Sequence, residues 1–182
     1  LGISEAQGEF QLEDDTRPLL LIAGGSGITP FRSMLEEMSV RWTAPNATLL
    51  YYSSTQDMHL FRHQFGSLMK EHSNIRVVFI ATSEQGRFHS GHLTRYCEDF
   101  RDRDIYLCGP TGLIQVAQRA LTNIGVSTEQ IHVEHFGPVP VDTSALSTDG
   151  RVLFSRSSTT AETNPEQPQS ILAMAEQTGL RP

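Results

Sequence analysis

Five short apolar runs alternate with stretches of helical periodicity between residues 19 and 136. The runs read LLLIA, ATLLYYS, IRVVFIA, DIYLC and IHVEHF and occupy 19–23, 47–53, 75–81, 104–108 and 131–136. The first of them, LLLIA, is continuous and bounded by turn residues, which is typical of a strand buried in a parallel sheet. Between most of them, apolar side chains recur every three or four positions, as on the buried face of a helix. The alternation predicts an α/β fold over residues 18–138, with a doubly wound five-stranded parallel sheet.

One connection and the C-terminal stretch do not follow this alternation. Residues 82–103 are predicted to be mostly loop, with one short helix near Leu93–Tyr96. After residue 138 the composition becomes polar and rich in Pro and Gly, which is typical of a linker at 139–150. Beyond it we expect a strand near Arg151–Ser158, then loop, then a short amphipathic helix that ends at Gly179.

The first predicted strand runs into the stretch GGSGITP at residues 24–30. Its three glycines would lie at the carboxyl end of the strand, where ligands of open α/β sheets bind. Glycine lets backbone N–H groups approach a phosphate closely. Thr29 as N-cap and Pro30 in the first turn would begin a helix whose positive end faces the same spot. The stretch therefore predicts a pyrophosphate site, and an ordinary tight turn is the alternative.

A second glycine turn, CGPTG, follows the fourth strand at residues 108–112. If the strand order is 3-2-1-4-5, the first and fourth strands are neighbours and both turns flank one crevice. Cys108 would then sit at the strand tip and point into that crevice. A buried packing cysteine is the alternative interpretation.

Composition narrows the partners and the compartment. The net charge of -7 argues against nucleic acid or an anionic membrane surface as the main partner. No apolar run approaches the roughly 20 residues of a membrane span, and no secretory signal is recognisable. Cys97 and Cys108 make no disulfide framework, so we expect a cytoplasmic protein. Because the chain does not begin with Met, we expect it to be a piece of a longer protein.

Seven histidines raise the question of a metal site. Six of them form close pairs in sequence, but no pair has a third ligand at a recognisable spacing. We therefore expect no metal site, with surface or packing roles for His59, His63, His89, His92, His132 and His135.

Three sequence blocks together resemble a known family. LLLIAGGSGITPFRSML, YLCGPTGLIQVAQRAL and the later EHF are similar, in order and spacing, to the NAD(P)H-binding domain of the ferredoxin–NADP reductase family over residues 18–138. Residues 1–17 resemble the end of that family's flavin-binding barrel, with Gly8 and Phe10 in its G-x-F positions. Residues 151–182 resemble the start of a plant-type [2Fe-2S] ferredoxin domain, truncated before the cluster-binding cysteines.

The resemblance implies a fused flavin reductase–ferredoxin and an incomplete α+β ferredoxin-like tail. Its activity would be hydride transfer from NAD(P)H to FAD or FMN, followed by single-electron transfer through a [2Fe-2S] cluster to an oxygenase or desaturase-like acceptor. Flavin and cluster are expected in the full-length parent and not in this chain. A non-catalytic nucleotide-binding or regulatory module is the alternative, and a hydrolase or phosphate-binding enzyme built on the glycine turn is a third.

The resemblance also implies roles for individual residues. Thr29 and Pro30 would border the nicotinamide, and Cys108 would lie beside its reacting C4 atom. Glu134 would be the carboxylate near the hydride path, although a solvated acid at a strand end is the alternative. Cys108, Glu134 and Thr29 form the implied catalytic set. The other implied cofactor contacts are the pyrophosphate turn Gly24, Gly25, Ser26 and Gly27, the second turn Gly109 and Pro110, and Phe136 beside the flavin.

The sequence leaves the choice between NADH and NADPH open. NADP-specific members of the family commonly carry an Arg after the third strand, following a Ser or Thr, to pair with the 2′-phosphate. Here Thr82 is kept but Ser83 stands in the place of that Arg. Arg87 is within sequence reach of a phosphate, whereas Glu84 can accept a hydrogen bond from a free ribose hydroxyl.

Overall fold

The computed structural model describes residues 10–12, 17–40, 45–136, 150–162 and 171–180. The chain divides into two compact units, Leu1–Gly137 and Pro138–Pro182. Most of the predicted barrel segment at 1–17, including Gly8, lies outside the described residues, and so does the linker up to residue 149.

The first unit is built on one parallel sheet. Its strands occur in the order β3-β2-β1-β4-β5, and every neighbouring pair is parallel. This confirms the predicted α/β fold with a five-stranded parallel sheet. The fifth strand ends two residues earlier than its apolar run, so Phe136 lies beyond it. The strands are β1 Leu19–Gly24, β2 Ala47–Ser53, β3 Ile75–Ala81, β4 Asp104–Cys108 and β5 Ile131–Glu134.

Helices cover both faces of this sheet. On one face Phe31, Leu35 and Phe65 pack with the strands in one apolar core, and on the other Leu93 and Leu121 help to form a second core. The longest described helix has 13 residues, and none of the described helices is long and apolar enough to cross a bilayer. The helices are α1 Ile28–Ser39, α2 Arg62–Glu71, α3 Thr82–Gln85, α4 Ser90–Tyr96 and α5 Thr111–Asn123.

The connection at 82–103 is more ordered than the sequence predicts. It contains α3, α4 and a 3-10 turn at Phe100–Asp102 instead of one short helix in a loop. Leu93, Cys97 and Phe100 are buried in the second core, which stabilises helices too short to form alone. Gly86, with φ +79°, ends α3. The prediction of a mostly loop connection was wrong, because the burial that stabilises these helices comes from contacts with distant parts of the chain.

The start of α1 also differs from its prediction. Thr29 is not the N-cap: a 3-10 turn over Gly25–Gly27 leads directly into the helix, and Gly27 occupies the cap position. The Thr29 hydroxyl donates to the Ser26 carbonyl at 3.1 Å instead of accepting from a helix N–H. Pro30 is in the first helical turn as expected, where its missing N–H costs no intrahelical bond.

The second unit contains a hairpin and a helix in its described residues. Strand β6, Arg151–Phe154, pairs antiparallel with β7, Thr159–Glu162, and helix α6 spans Ile171–Gln177. The sequence predicted one strand to Ser158 followed by loop. The chain instead turns at 155–158, with Ser158 at φ +53°, because an isolated strand needs a partner for its backbone groups.

Candidate functional site

The glycine turns after β1 and β4 pack directly against each other. Ala23 on β1 is the register partner of Cys108 on β4, so both strands end side by side. A Cβ atom built on Gly27 would lie 2.3 Å from the Cys108 carbonyl oxygen, and one on Gly109 would lie 2.9 Å from the Gly24 nitrogen. These glycines are therefore required by the contact between the two turns. The predicted adjacency of the first and fourth strands is confirmed.

Gly25 differs from its neighbours because its surroundings are open. It has φ +54°, and no atom lies within 4 Å of a Cβ built there. Gly25 is half-buried and Ser26 is exposed, so the open side of the first turn is at these two residues. A positive φ with open space above the backbone leaves room for a ligand to contact the main chain.

Cys108 and Glu134 are register partners on β4 and β5. The Cys108 side chain is fully buried in the core with Ile28 and Phe31, instead of open to the crevice as the sequence predicted. Burial, with a smaller effect of the Glu134 charge, raises the pKa of the Cys108 thiol to about 12. The thiol is therefore neutral at physiological pH, and nucleophilic chemistry at this sulfur is disfavoured.

An aromatic group shares the sheet face of Cys108 and Glu134. The Tyr106 ring stacks on His132 with centroids 4.4 Å apart and meets Phe10 edge-on at 5.6 Å. Sequence reasoning missed this group. Strand alternation could have found it, because Tyr106 precedes Cys108 by two positions and His132 precedes Glu134 by two.

The ends of β2 and β3 form a second polar cluster at the same edge of the sheet. The Ser83 N–H donates to the Ser54 carbonyl at 3.1 Å, and the Gln56 side-chain amide donates to Glu84 at 3.1 Å. Arg87 is exposed. Three strand spacings, roughly 14 Å, separate β3 from β4. We call Ser54, Gln56, Ser83 and Glu84 the Ser83 cluster. At the carboxyl edge of the sheet this cluster lies on one side of the first glycine turn, and Cys108 with Glu134 lies on the other.

The residues predicted to contact the coenzyme lie at several places along the carboxyl edge of the sheet. Gly24, Gly25, Ser26, Gly27, Gly109 and Pro110 come together at the two turns, with Thr29 and Pro30 in the first turn of α1. Thr82 and Ser83 begin α3 at the end of β3, and Arg87 is exposed just beyond that helix. Phe136 is 52% exposed just beyond β5.

Two of the histidines considered for a metal site, His59 and His92, have packing and hydrogen-bonding roles in the structure. Among the described residues, no group of three or more His, Cys, Asp or Glu side chains is placed to hold a metal ion. His59 is buried with its ring nitrogens 3.1 Å from the carbonyls of Gln56 and Tyr51. His92 is buried with Nδ1 2.9 Å from the Tyr52 hydroxyl.

Residues 21–119 match a protein family described as "Oxidoreductase NAD-binding domain". This chain belongs to that family. The matched segment includes both glycine turns, Cys108 and the Ser83 cluster. The predicted NAD(P)H-binding domain of the ferredoxin–NADP reductase family is therefore confirmed at the level of an oxidoreductase NAD-binding domain. The ferredoxin-like identity of residues 151–182 stays a prediction.

Relatives of the domain occur inside longer proteins. A flavohemoprotein of Bordetella pertussis is 31% identical over 150 residues, which cover 75% of this chain and 37% of the relative. An NADPH oxidoreductase of Mycobacterium tuberculosis is 30% identical over 156 residues, which cover 85% of this chain and 40% of the relative. The chain thus spans well under half the length of either relative.

A solved structure has the same fold. The FAD/NAD-binding domain of a nitric oxide dioxygenase from Vibrio cholerae superimposes with a TM-score of 0.61 and is 26% identical. The match covers 72% of this chain and 56% of that one.

Proposed function

We propose that this chain is the NAD(P)H-binding part of a flavin-dependent oxidoreductase. The observation that carries the proposal is the direct contact between the two glycine turns. Gly25 and Ser26 are open on one side of this contact, and Cys108 lies beside Glu134 on the other side. A flavohemoprotein, an NADPH oxidoreductase and an FAD/NAD-binding domain among the relatives support it. The coenzyme would supply hydride to FAD or FMN held by an adjoining domain.

The first turn fits a pyrophosphate. Gly25 offers open backbone at positive φ, and α1 points its positive end at the same place. Gly24 and Gly27 keep the turn closed against the second turn, and Ser26 adds an exposed hydroxyl. In this proposal the turn orients the coenzyme along the edge of the sheet.

The nicotinamide would lie on the side of β4 and β5. Thr29 and Pro30 would border it, and Gly109 and Pro110 would form the floor under its C4 atom, with the buried Cys108 side chain supporting that floor from below. Glu134, half-buried beside Cys108, would stabilise the positive charge that the ring acquires when hydride leaves. Phe136 would cover the flavin side. The neutral Cys108 thiol shapes the reacting geometry without taking a proton.

The adenosine end would lie across the sheet at Thr82, Ser83 and Arg87. Ser83 holds no charge for a 2′-phosphate, and Glu84 is engaged with Gln56, so neither NADH nor NADPH is favoured strongly. Arg87 is exposed and free to turn toward a phosphate from the edge of this cluster.

The proposal extends to the second unit as the start of a [2Fe-2S] ferredoxin domain. In the full-length parent this domain would pass single electrons from the flavin to an oxygenase or desaturase-like acceptor. The sequence resemblance of residues 151–182 supports this step, and a hairpin followed by a helix is compatible with an α+β domain.

Titration calorimetry of this chain with NADH and NADPH tests the proposal. We expect weak binding of at least one coenzyme and no flavin in the purified protein, because part of the nicotinamide pocket would come from the flavin domain. Absence of binding to both coenzymes at millimolar concentration, or stoichiometric bound flavin, would contradict it. A full-length parent should be yellow-brown from flavin and cluster, whereas a hydrolase would be colourless.

A further inference from the structure

The Tyr51 hydroxyl joins the glycine turn to the loop that follows β2. It accepts a hydrogen bond from the Leu60 N–H at 3.1 Å and donates one to the Gly25 carbonyl at 3.2 Å. The same Gly25 carbonyl accepts the N–H of Ile28, which closes the 3-10 turn before α1. One phenol group therefore contacts the turn at the peptide where its open side begins.

The Tyr51 side chain is held firmly in this place. Its ring is fully buried on β2, and the His59 ring meets it edge-on at 4.9 Å. A His59 ring nitrogen also lies 3.1 Å from the Tyr51 carbonyl oxygen. Burial raises the pKa of Tyr51 above 10.0, so the hydroxyl keeps its proton and goes on donating to Gly25 through the physiological range.

The loop between β2 and α2, which bonds to Tyr51 through Leu60, has a second contact at the start of α2. Phe61 has φ +58°, a left-handed conformation that is unfavourable for a non-glycine residue. The Arg32 guanidinium of α1 lies 4.6 Å from the centre of the Phe61 ring. The loop thus contacts both the turn, through Tyr51, and the helix that the turn begins.

We propose that Tyr51 is a positioning residue for the coenzyme turn. The inference rests on the proposed function of that turn as the pyrophosphate site. In a trans peptide the carbonyl and the following N–H point in opposite directions, and the described chain has no cis peptide bond. A Gly25 carbonyl held toward the Tyr51 hydroxyl therefore directs the Ser26 N–H away from that hydroxyl. In this proposal a phosphate oxygen accepts from the Ser26 N–H on that side.

Tyr51→Phe, with Tyr52→Phe as its control, tests this role. Tyr52 is the next residue of β2, is also buried, and its hydroxyl bonds to His92 on the opposite sheet face. The probe is ADP-ribose, which carries the pyrophosphate without the nicotinamide. We expect roughly threefold to tenfold weaker ADP-ribose binding for Tyr51→Phe, the effect of one lost hydrogen bond, and unchanged binding for Tyr52→Phe. Calorimetry measures both, and urea unfolding measures the stability of each variant.

Amide exchange in the unaltered chain is the second measurement. If Tyr51 ties the loop to the turn, ADP-ribose should slow exchange at both Ile28 and Leu60. Equal ADP-ribose affinity for Tyr51→Phe and Tyr52→Phe would overturn the proposal, and so would slowing at Ile28 without slowing at Leu60. Failure of the unaltered chain to bind ADP-ribose, NADH or NADPH would instead overturn the proposed function, and this inference with it.

Discussion

Gly27 and the Cys108 carbonyl approach each other so closely that no side chain fits between them. A Cβ atom on Gly27 would lie 2.3 Å from that oxygen and 2.6 Å from the Gly109 nitrogen. Both atoms belong to the backbone at the end of a central strand, which cannot move without disturbing the sheet. The positions of α1 and of the open side of the turn at Gly25 thus depend on the absence of a side chain at Gly27.

Gly27→Ala should destabilise the fold and weaken the site together. We expect a loss of about 3 kcal/mol in the free energy of unfolding, at the upper end for an overpacked site. Urea unfolding measures this, and ADP-ribose titration at low temperature measures the remaining affinity.

Gly66→Ala is the matched control for that change. Gly66 lies inside α2, and no atom lies within 4 Å of a Cβ built there. Alanine in a helix interior should stabilise by about 0.5–1 kcal/mol. Equal stability of the Gly27→Ala and unaltered chains would contradict the contact between the turns.

The two buried thiols should make the fold sensitive to alkali. Burial is the main cause that raises the pKa of Cys97 to about 11 and of Cys108 to about 12, from an ordinary value of 9.0. The unfolded chain therefore loses these protons first, and stability present below pH 9 should fall as the pH rises toward 12. Unfolding of Cys108→Ala across this range should show a smaller slope.

Thiol reactivity provides an independent check of the same burial. At pH 8 neither cysteine should react rapidly with a disulfide reagent in the folded chain, and both should react in urea. Rapid modification of Cys108 in the folded chain would show that its thiol is open to the crevice.

His92 should make the fold sensitive to acid. Burial is the main cause that lowers its pKa from 6.5, and the nearby His89 and Arg95 charges act in the same direction. The unfolded chain therefore binds a proton more readily, and stability should decrease as the pH falls below about 6.5. His92→Gln should reduce this decrease between pH 7 and 5. His63→Gln, an exposed change, should leave it intact.

Ser83→Arg should shift the coenzyme preference toward NADPH. The Ser83 side chain is exposed, and its backbone is held to Ser54 at the end of β2, so an arginine can be accommodated at the proposed ribose subsite. An ion pair with the 2′-phosphate should improve NADPH binding relative to NADH by about tenfold. Calorimetric titration of both coenzymes gives the ratio. Ser73→Arg adds the same charge before β3, at the opposite end of the sheet, and should leave the ratio unchanged.

Local patterns were sufficient for the sheet and for the two turns. The inner strands β1, β2 and β4 are largely apolar because both of their faces are buried, so the sequence itself records that burial. The glycines of 24–27 and 108–112 likewise mark the turns, since only glycine allows such close backbone packing. The strand order 3-2-1-4-5, which would bring the two turns together, was considered from the sequence and is the order that the structure has.

The remaining features depend on contacts between residues far apart in sequence. Helices α3 and α4 form because Leu93 and Phe100 are buried, and no local periodicity reports that burial. The cap of α1 shifted to Gly27 because the turn itself begins as a 3-10 helix. The sequence alone thus determined an oxidoreductase-type nucleotide fold and its glycine turns. Only the tertiary structure decided that Cys108 is buried and that Tyr51 bonds to Gly25, because both depend on how separate strands and loops pack.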